Sequence, residues 1–255
     1  MPIQNGIGYG PETPRKQADF QGLFTQHAYI CSGILGRQES HHYSYIDTNA
    51  GSGTIPTMPS LKGSPIHALE TCTEIFTDHL AARTQFYFIE QDAVNCDSLG
   101  ARLNNHPGWG RWIHLFEADN AQILPTILDR LQATYGLLYH DPTNLPDWLL
   151  LETASKHRAL QRIDILVYLS AANMKRCGQR LNQRLSGIQK RHWLIREPAG
   201  NHQFSFSLGT NWLEYPAWKQ HGFYPIGSPR GKHILEQLSL STQELHEKHN
   251  TRLPI

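Results

Sequence analysis

Long apolar runs are missing from this sequence. No stretch approaches the roughly 20 consecutive apolar residues of a bilayer-spanning helix, and the opening Met1-Pro2-Ile3-Gln4-Asn5-Gly6 lacks the basic and apolar regions of a secretory signal. The expected compartment is therefore the cytoplasm, with no membrane partner. Cysteine is scarce as well: Cys31, Cys72, Cys96 and Cys177 stand at least 24 residues apart, which excludes a CxxC pair and any zinc-ligand spacing. They read as reduced core thiols. The 15 histidines, the His41-His42 pair included, show no ligand spacing on an expected helix, so no metal is assigned. Internal repeats, low-complexity tracts and evident linkers are also missing.

What is present is a chain of 255 residues, 39% hydrophobic and 18% charged, which can fill a core and is neither disordered nor fibrous. A single domain over residues 1–255 is expected, with 1–40 as a helical lead-in and 209–255 as a C-terminal extension. The net charge of +1 is a cancellation: residues 1–155 hold 8 Lys/Arg against 16 Asp/Glu, residues 156–196 hold 10 against 1, and the remainder is balanced. Such asymmetry suggests that one face meets a polyanion while another handles different chemistry.

Between residues 43 and 171 short apolar runs alternate with helical patterns, the sequence sign of a parallel sheet with crossover helices. Strands are expected at Tyr43–Thr48, Gln85–Glu90, Trp112–Glu117, Gly136–His140 and Ile163–Leu169. Helices are expected at Ser64–Leu80, Leu124–Leu131, Leu145–Leu160 and Asn173–Ile188, with Pro125 tolerated only in a first turn, where a missing N–H does no harm. Two further strands flank a Pro198-Ala199-Gly200-Asn201 turn and read as an antiparallel hairpin. Five parallel crossovers plus this C-terminal hairpin match the α/β, Rossmann-like seven-stranded sheet of S-adenosylmethionine-dependent methyltransferases.

The first strand runs into Asp47-Thr48-Asn49-Ala50-Gly51-Ser52-Gly53. A glycine turn at the carboxyl end of a parallel strand lets backbone approach a ligand. It is not the dinucleotide fingerprint, because Pro56 stands where a third glycine is needed. Glu90 closes the second strand, where a carboxylate can accept from both ribose hydroxyls, and Asp119 follows the third, where it can accept from an adenine amino group. Each carboxylate taken singly also suits a turn or helix cap. Together they favour an adenosyl ligand, and their charge suits a sulfonium better than a pyrophosphate.

These residues carry a resemblance. The run Asp47 to Gly53, then Gly63-Ser64-Pro65, then Phe88-Ile89-Glu90 resembles the D-x-F-A-G-x-G loop, G-S-P helix entry and f-x-E strand end of the three-Cys-motif partner proteins, over roughly residues 15–180. The resemblance implies a methyltransferase fold with S-adenosylmethionine as cofactor and a cofactor site at Asp47, Asn49, Gly51, Gly53 and Glu90, to which the strand-end reading adds Asp119. Asn49 departs from the family, which usually has Phe there.

The fourth strand ends in Tyr139-His140-Asp141-Pro142-Thr143-Asn144. It is similar, at Asp141 and Pro142, to the D/N-P-P-Y/F/W motif of amino-group methyltransferases acting on nucleic acid bases. The lone pair of an exocyclic amine is delocalised into the ring, so acceptors must hold its N–H bonds out of plane; the Asp141 carboxylate and Pro142 carbonyl are the candidates. Thr143 replaces the second proline and Asn144 the aromatic that stacks on a flipped base. Tyr139, Trp148, or a loop with Trp212, Tyr215 and Trp218 are the expected substitutes.

Lys175, Arg176, Arg180 and Arg184 follow the fifth strand, and on one helix the three arginines share a face suited to phosphates. A solvated helical face is the plainer reading. The leading expectation is methyl transfer to an amino group in nucleic acid, adenine in DNA before RNA. A small-molecule methyltransferase and a non-catalytic nucleic-acid-binding protein with a relic adenosyl pocket are the alternatives.

Overall fold

All five expected parallel strands form, because their side chains are apolar toward both faces of the sheet. The structure is a computed structural model that describes residues 12–244 apart from 39, 56, 105, 107–109, 132–133, 177–180, 200–203, 213–215 and 241–243, and the backbone alone at 176, 216 and 217. The chain runs α1 (Thr13–Leu35), β1 (His42–Asp47), β2 (Thr54–Ile55), β3 (Met58–Lys62), α2 (Ser64–Ile75), α3 (Asp78–Ala81), β4 (Thr84–Glu90), α4 (Ala93–Leu103) and β5 (Ile113–Glu117). It continues through α5 (Asn120–Arg130), β6 (Thr134–His140), α6 (Trp148–Ser155), a 3₁₀ turn (Arg158–Gln161), β7 (Ile163–Ser170), α7 (Ala171–Arg176) and α8 (Leu181–Gly187). The last elements are β8 (His192–Arg196), β9 (Phe204–Thr210), α9 (Pro216–Gln220), β10 (Phe223–Pro225) and α10 (Pro229–Ser239).

The main sheet has eight strands in the order β5-β4-β1-β6-β7-β9-β8-β10. Strands β5 to β7 in that order are parallel, β9 is antiparallel to both β7 and β8, and β10 is antiparallel to β8. Without β10 this is the expected seven-stranded Rossmann-like sheet, with its reversed strand next to the edge. The expected count of seven is corrected to eight. The extra strand is three residues long and held by one neighbour, too short to show a period-2 pattern.

Each strand feeds two apolar layers. Tyr43, Tyr45, Phe88, Leu137 and Tyr139 face the layer built by α1, α2 and α4, where Phe20 lies 4.4 Å from the Tyr139 ring. Ile46, Ile89, Leu138, Ile165 and Val167 face the other, built by α5, α6, α7, α8 and α10. Each such fully buried side chain contributes roughly 1.5–3 kcal/mol. Cys31, Cys72 and Cys96 are free and buried, as expected of core thiols; Cys177 lies outside the described residues.

Three helix expectations are corrected. Residues 64–80 form two helices, because Phe76 is extended and caps the first. Residues 145–160 reduce to α6 and the 3₁₀ turn. Pro125 is the sixth residue of α5 rather than a first-turn residue. Its missing N–H removes the bond that position 125 would donate to the Ala121 carbonyl, at an exposed residue. The hairpin β2–β3, α4, β10 and α10 were not expected. No helix among the described residues is long and apolar enough to cross a membrane.

Candidate active site

Chain order reverses between β1 and β6, which places a crevice outside their carboxyl ends, where open α/β sheets bind ligands. A cleft of about 740 Å³ opens there, lined by the loops after β1, β4, β6 and β7 and by the start of α1. Its walls carry Glu12, Glu90, Asp92 and Asp141 against a single cation, Lys16, among the described residues. The acidic first part of the sequence therefore supplies the cleft.

The loop after β1 is fixed from beneath. Asp47 is fully buried and does not line the cleft. Its carboxylate accepts from Ser64 Oγ at 2.6 Å, Tyr45 OH at 3.0 Å and Asn49 N at 3.1 Å. Burial raises its pKa to about 7, and the bonds from Ser64 and Asn49 oppose that rise. Asp47 thus ties the loop to the start of α2, where Gly63 is the extended cap and Pro65 sits in the first turn. Gly63 N closes the link by donating to Gly53 O at 2.9 Å. Gly51 and Gly53 have φ of +64° and +78°, and a Cβ on Gly53 would lie 2.9 Å from Leu99 Cδ1. Only glycine fits both positions without strain.

Glu90 ends β4 and faces the cleft. Its Oε2 accepts from Gly51 N at 2.7 Å and its Oε1 from Asp92 N at 2.9 Å. Each oxygen keeps a lone pair after those bonds. Asn49 lines the same wall. Asp119 does not line the cleft: its carboxylate accepts from Ala121 N at 2.7 Å as the cap of α5. The first helix N–H, two residues on, thus takes one oxygen of the carboxylate that was expected to meet an adenine amino group. Asn120 lines the cleft beside it and donates from Nδ2 to Thr48 O at 3.2 Å.

Asp141, Pro142 and Thr143 line the opposite wall. Asp141 Oδ2 receives Lys16 Nζ at 2.6 Å and Tyr139 OH at 3.0 Å, while Oδ1 has no described partner. The carboxylate is 11% exposed. Lys16 also stands over the Tyr168 ring, 4.4 Å from its centroid. Beneath, His140 is fully buried. Its Nε2 accepts from Asp147 N at 3.0 Å, so the proton sits on Nδ1 and is donated to Thr48 Oγ1 at 2.8 Å. Burial holds this imidazole neutral, with its pKa lowered to about 4.

The expected base-stacking residues are elsewhere. Tyr139 and Trp218 are core residues, Trp148 is buried, Trp212 stands near Tyr135 at the other end of the sheet, and Tyr215 lies outside the described residues. Among the described residues the aromatic ring that lines the cleft is Tyr168, two residues before the end of β7. Its place near a strand end was the available signal. Lys16, Tyr168 and His140 were missed because their roles depend on elements far apart in sequence.

The basic segment starts at the rim. Asn173 of α7 lines the cleft and Lys175 lies two residues on. Of the expected row of arginines, Arg176 ends α7 and Arg184 lies exposed on α8, while Arg180 falls outside the described residues. Among the described residues no cluster of His, Cys, Asp and Glu is arranged to hold a metal ion.

No family model matches the chain, and no curated protein matches it. Solved structures do. A Legionella pneumophila protein of the family described as DUF519 superimposes with a TM-score of 0.55 at 14% identity, covering 80% of this chain and 89% of that one. A SAM-dependent methyltransferase from Agrobacterium tumefaciens gives 0.47 at 8% identity, covering 81% and 64%. The METTL16 methyltransferase domain gives 0.47 at 13% identity, covering 73% and 67%. At these identities the likeness is one of fold, and the first of the three carries it.

Proposed function

We propose that this protein is an S-adenosylmethionine-dependent methyltransferase that acts on an exocyclic amino group in nucleic acid, with adenine in DNA as the first substrate to test. The observation that carries this reading is the pairing across one cleft of Glu90, beside a glycine turn, with Asp141, whose Oδ2 is held by two donors while Oδ1 has no partner among the described residues. The resemblance to the three-Cys-motif partner proteins and to the D-P-P motif supports the same reading.

The donor set fits the cofactor. The free lone pairs of Glu90 suit two ribose hydroxyls, and the positive-φ glycines leave room for a nucleoside against the backbone. The acidic walls suit a cation. When bound, S-adenosylmethionine supplies an electrophilic methyl group on its sulfonium. The chain's own part is to prepare the amine. Asp141 Oδ1 accepts one N–H of the target and the Pro142 carbonyl the other, which turns the nitrogen lone pair out of the ring plane. Lys16 and Tyr139 fix the carboxylate for that task. Tyr168 lines the cleft with its ring covered by Lys16 and packed on Phe204 and Phe206, so it does not replace the aromatic that Asn144 lacks. The proton released from the amine passes to Asp141 Oδ1 or to solvent.

Incubation with tritiated S-adenosylmethionine and, in parallel, DNA, RNA and small amines, followed by nucleoside analysis, tests the reading. Label in N-methyladenine supports it. Label only in a small amine, or no transfer with intact nucleic acid binding, would replace it by one of the two alternatives.

A further inference from the structure

A second cavity of about 770 Å³ lies at the opposite pole of the sheet. It sits where β6 and β7 begin, separated from Asp141 by the seven-residue length of β6, roughly 23 Å. Arg158 and Arg162 line it, and neither has a carboxylate within ion-pairing distance among the described residues. The one carboxylate lining it, Asp129, is held by His157 Nε2 at 3.0 Å.

Arg162 is oriented in advance. Its Nη1 donates to His41 Nε2 at 2.6 Å, and its guanidinium stands 5.6 Å from the Tyr135 ring centroid. A guanidinium only donates, so His41 presents a lone pair there and adds no charge. The remaining N–H groups of Arg162 are left for a ligand. Gln161, in the same turn as Arg158, accepts on Oε1 from Asn211 at 3.3 Å, which leaves its amide NH₂ as a neutral donor. Trp212, 38% exposed, lies against Tyr135 with ring centroids 5.6 Å apart.

We infer that this pole is a binding site for phosphate esters, built on Arg158 and Arg162 with Trp212 as a neighbouring aromatic face. Two guanidiniums without acidic partners favour an anion whose acceptor oxygens point in several directions, and a tetrahedral phosphate offers oxygens to both forks where a planar carboxylate offers two in one plane. An aromatic face beside them suits the base of a nucleotide. The site stands apart from the cleft and does not depend on methyl transfer. The phosphate can come from a polynucleotide backbone, which would anchor a substrate far from the reacting base, or from a small phosphate ester.

The test compares the wild type with R158Q/R162Q. Fluorescence anisotropy with labelled single-stranded DNA and RNA oligonucleotides reads the first source, and phosphorus NMR line broadening of inorganic phosphate reads the second. The double variant should bind oligonucleotide at least tenfold more weakly at low salt, with a salt slope smaller by about 0.7 per lost contact. Its affinity for S-adenosylhomocysteine and its Tm should not change. Loss of phosphate broadening with unchanged oligonucleotide binding would assign the site to small phosphate esters. Wild-type behaviour of the double variant in both arms would overturn the inference. Should the double variant lose stability, Arg158→Gln alone, which removes no described intramolecular contact, serves in its place with a threefold loss expected.

Discussion

The Nδ1 proton of His140 points at Thr48 Oγ1, 2.8 Å away, and so joins the loop after β1 to the loop after β6. On its other side Nε2 accepts from Asp147 N and closes the turn that carries Asp141 and Pro142. One neutral imidazole therefore registers the two walls of the cleft against each other. Asp47 does the same from the first wall to α2.

These two buried groups titrate with opposite sign. Burial lowers the pKa of His140 to about 4, so the unfolded chain takes up a proton from about pH 6.5 downward while the folded one does not; its contribution to stability is lost as pH falls from 6.5 toward 4. Burial raises that of Asp47 to about 7, so the folded chain keeps a proton that the unfolded one releases, and stability is lost as pH rises from 3.8 toward 7. The two slopes oppose each other in the wild type. Relative to wild type, Asp47→Asn should make Tm rise more steeply with pH between 4 and 6.5, and His140→Gln should make it fall more steeply. Thermal melts across that range check both; parallel curves for all three proteins would contradict the assignment.

Asp141→Ala should lower methyl transfer by at least on the order of 10²-fold, the scale of losing one preorganised electrostatic partner, with S-adenosylhomocysteine affinity unchanged. Asp141→Asn should keep measurable activity, because its carbonyl still accepts one hydrogen bond. Lys16→Met should lower kcat roughly tenfold, about 1.4 kcal/mol, by freeing Oδ2. Single-turnover rates with saturating cofactor distinguish these outcomes, and full turnover in the alanine variant would place the chemistry elsewhere.

Glu90→Gln substitutes an amide for the carboxylate that now accepts from Gly51 N and Asp92 N. Affinity for S-adenosylhomocysteine should fall at least tenfold by calorimetric titration. Gly51→Val should do the same by a different route: no atom lies within 4 Å of a Cβ there, but φ of +64° is strained for a β-branched residue. Its melting curve should remain cooperative. Undiminished binding by either variant would remove this loop from the cofactor site.

Lys175→Gln combined with Arg184→Gln tests the basic segment. If both side chains meet phosphates, binding should weaken about evenly across sequences, with the salt slope reduced by up to roughly 0.9 per contact. Filter binding at several salt concentrations reads this. An unchanged slope would return Arg184 to a solvated helical face.

The alternation of short apolar runs with helical patterns determined the parallel sheet, because strands buried on both faces have no other way to read. The glycine turn and the strand-end Glu90 were equally legible, since backbone conformation and strand termini are local matters. The sequence by itself did not separate a capping carboxylate from a cleft-lining one: Glu90 ends one strand and Asp119 follows the next, and only the tertiary structure puts Asp119 on the N–H of Ala121 and Glu90 in the wall of the cleft. Nor did it reveal Lys16, which reaches Asp141 from α1, 125 residues away in sequence, or Tyr168 of β7, which lies under that lysine. Hydrogen bonds and ion pairs act over about 3 Å in space, so which polar side chains share a cleft was decided by the tertiary structure, once hydrophobic burial had set the order of the strands.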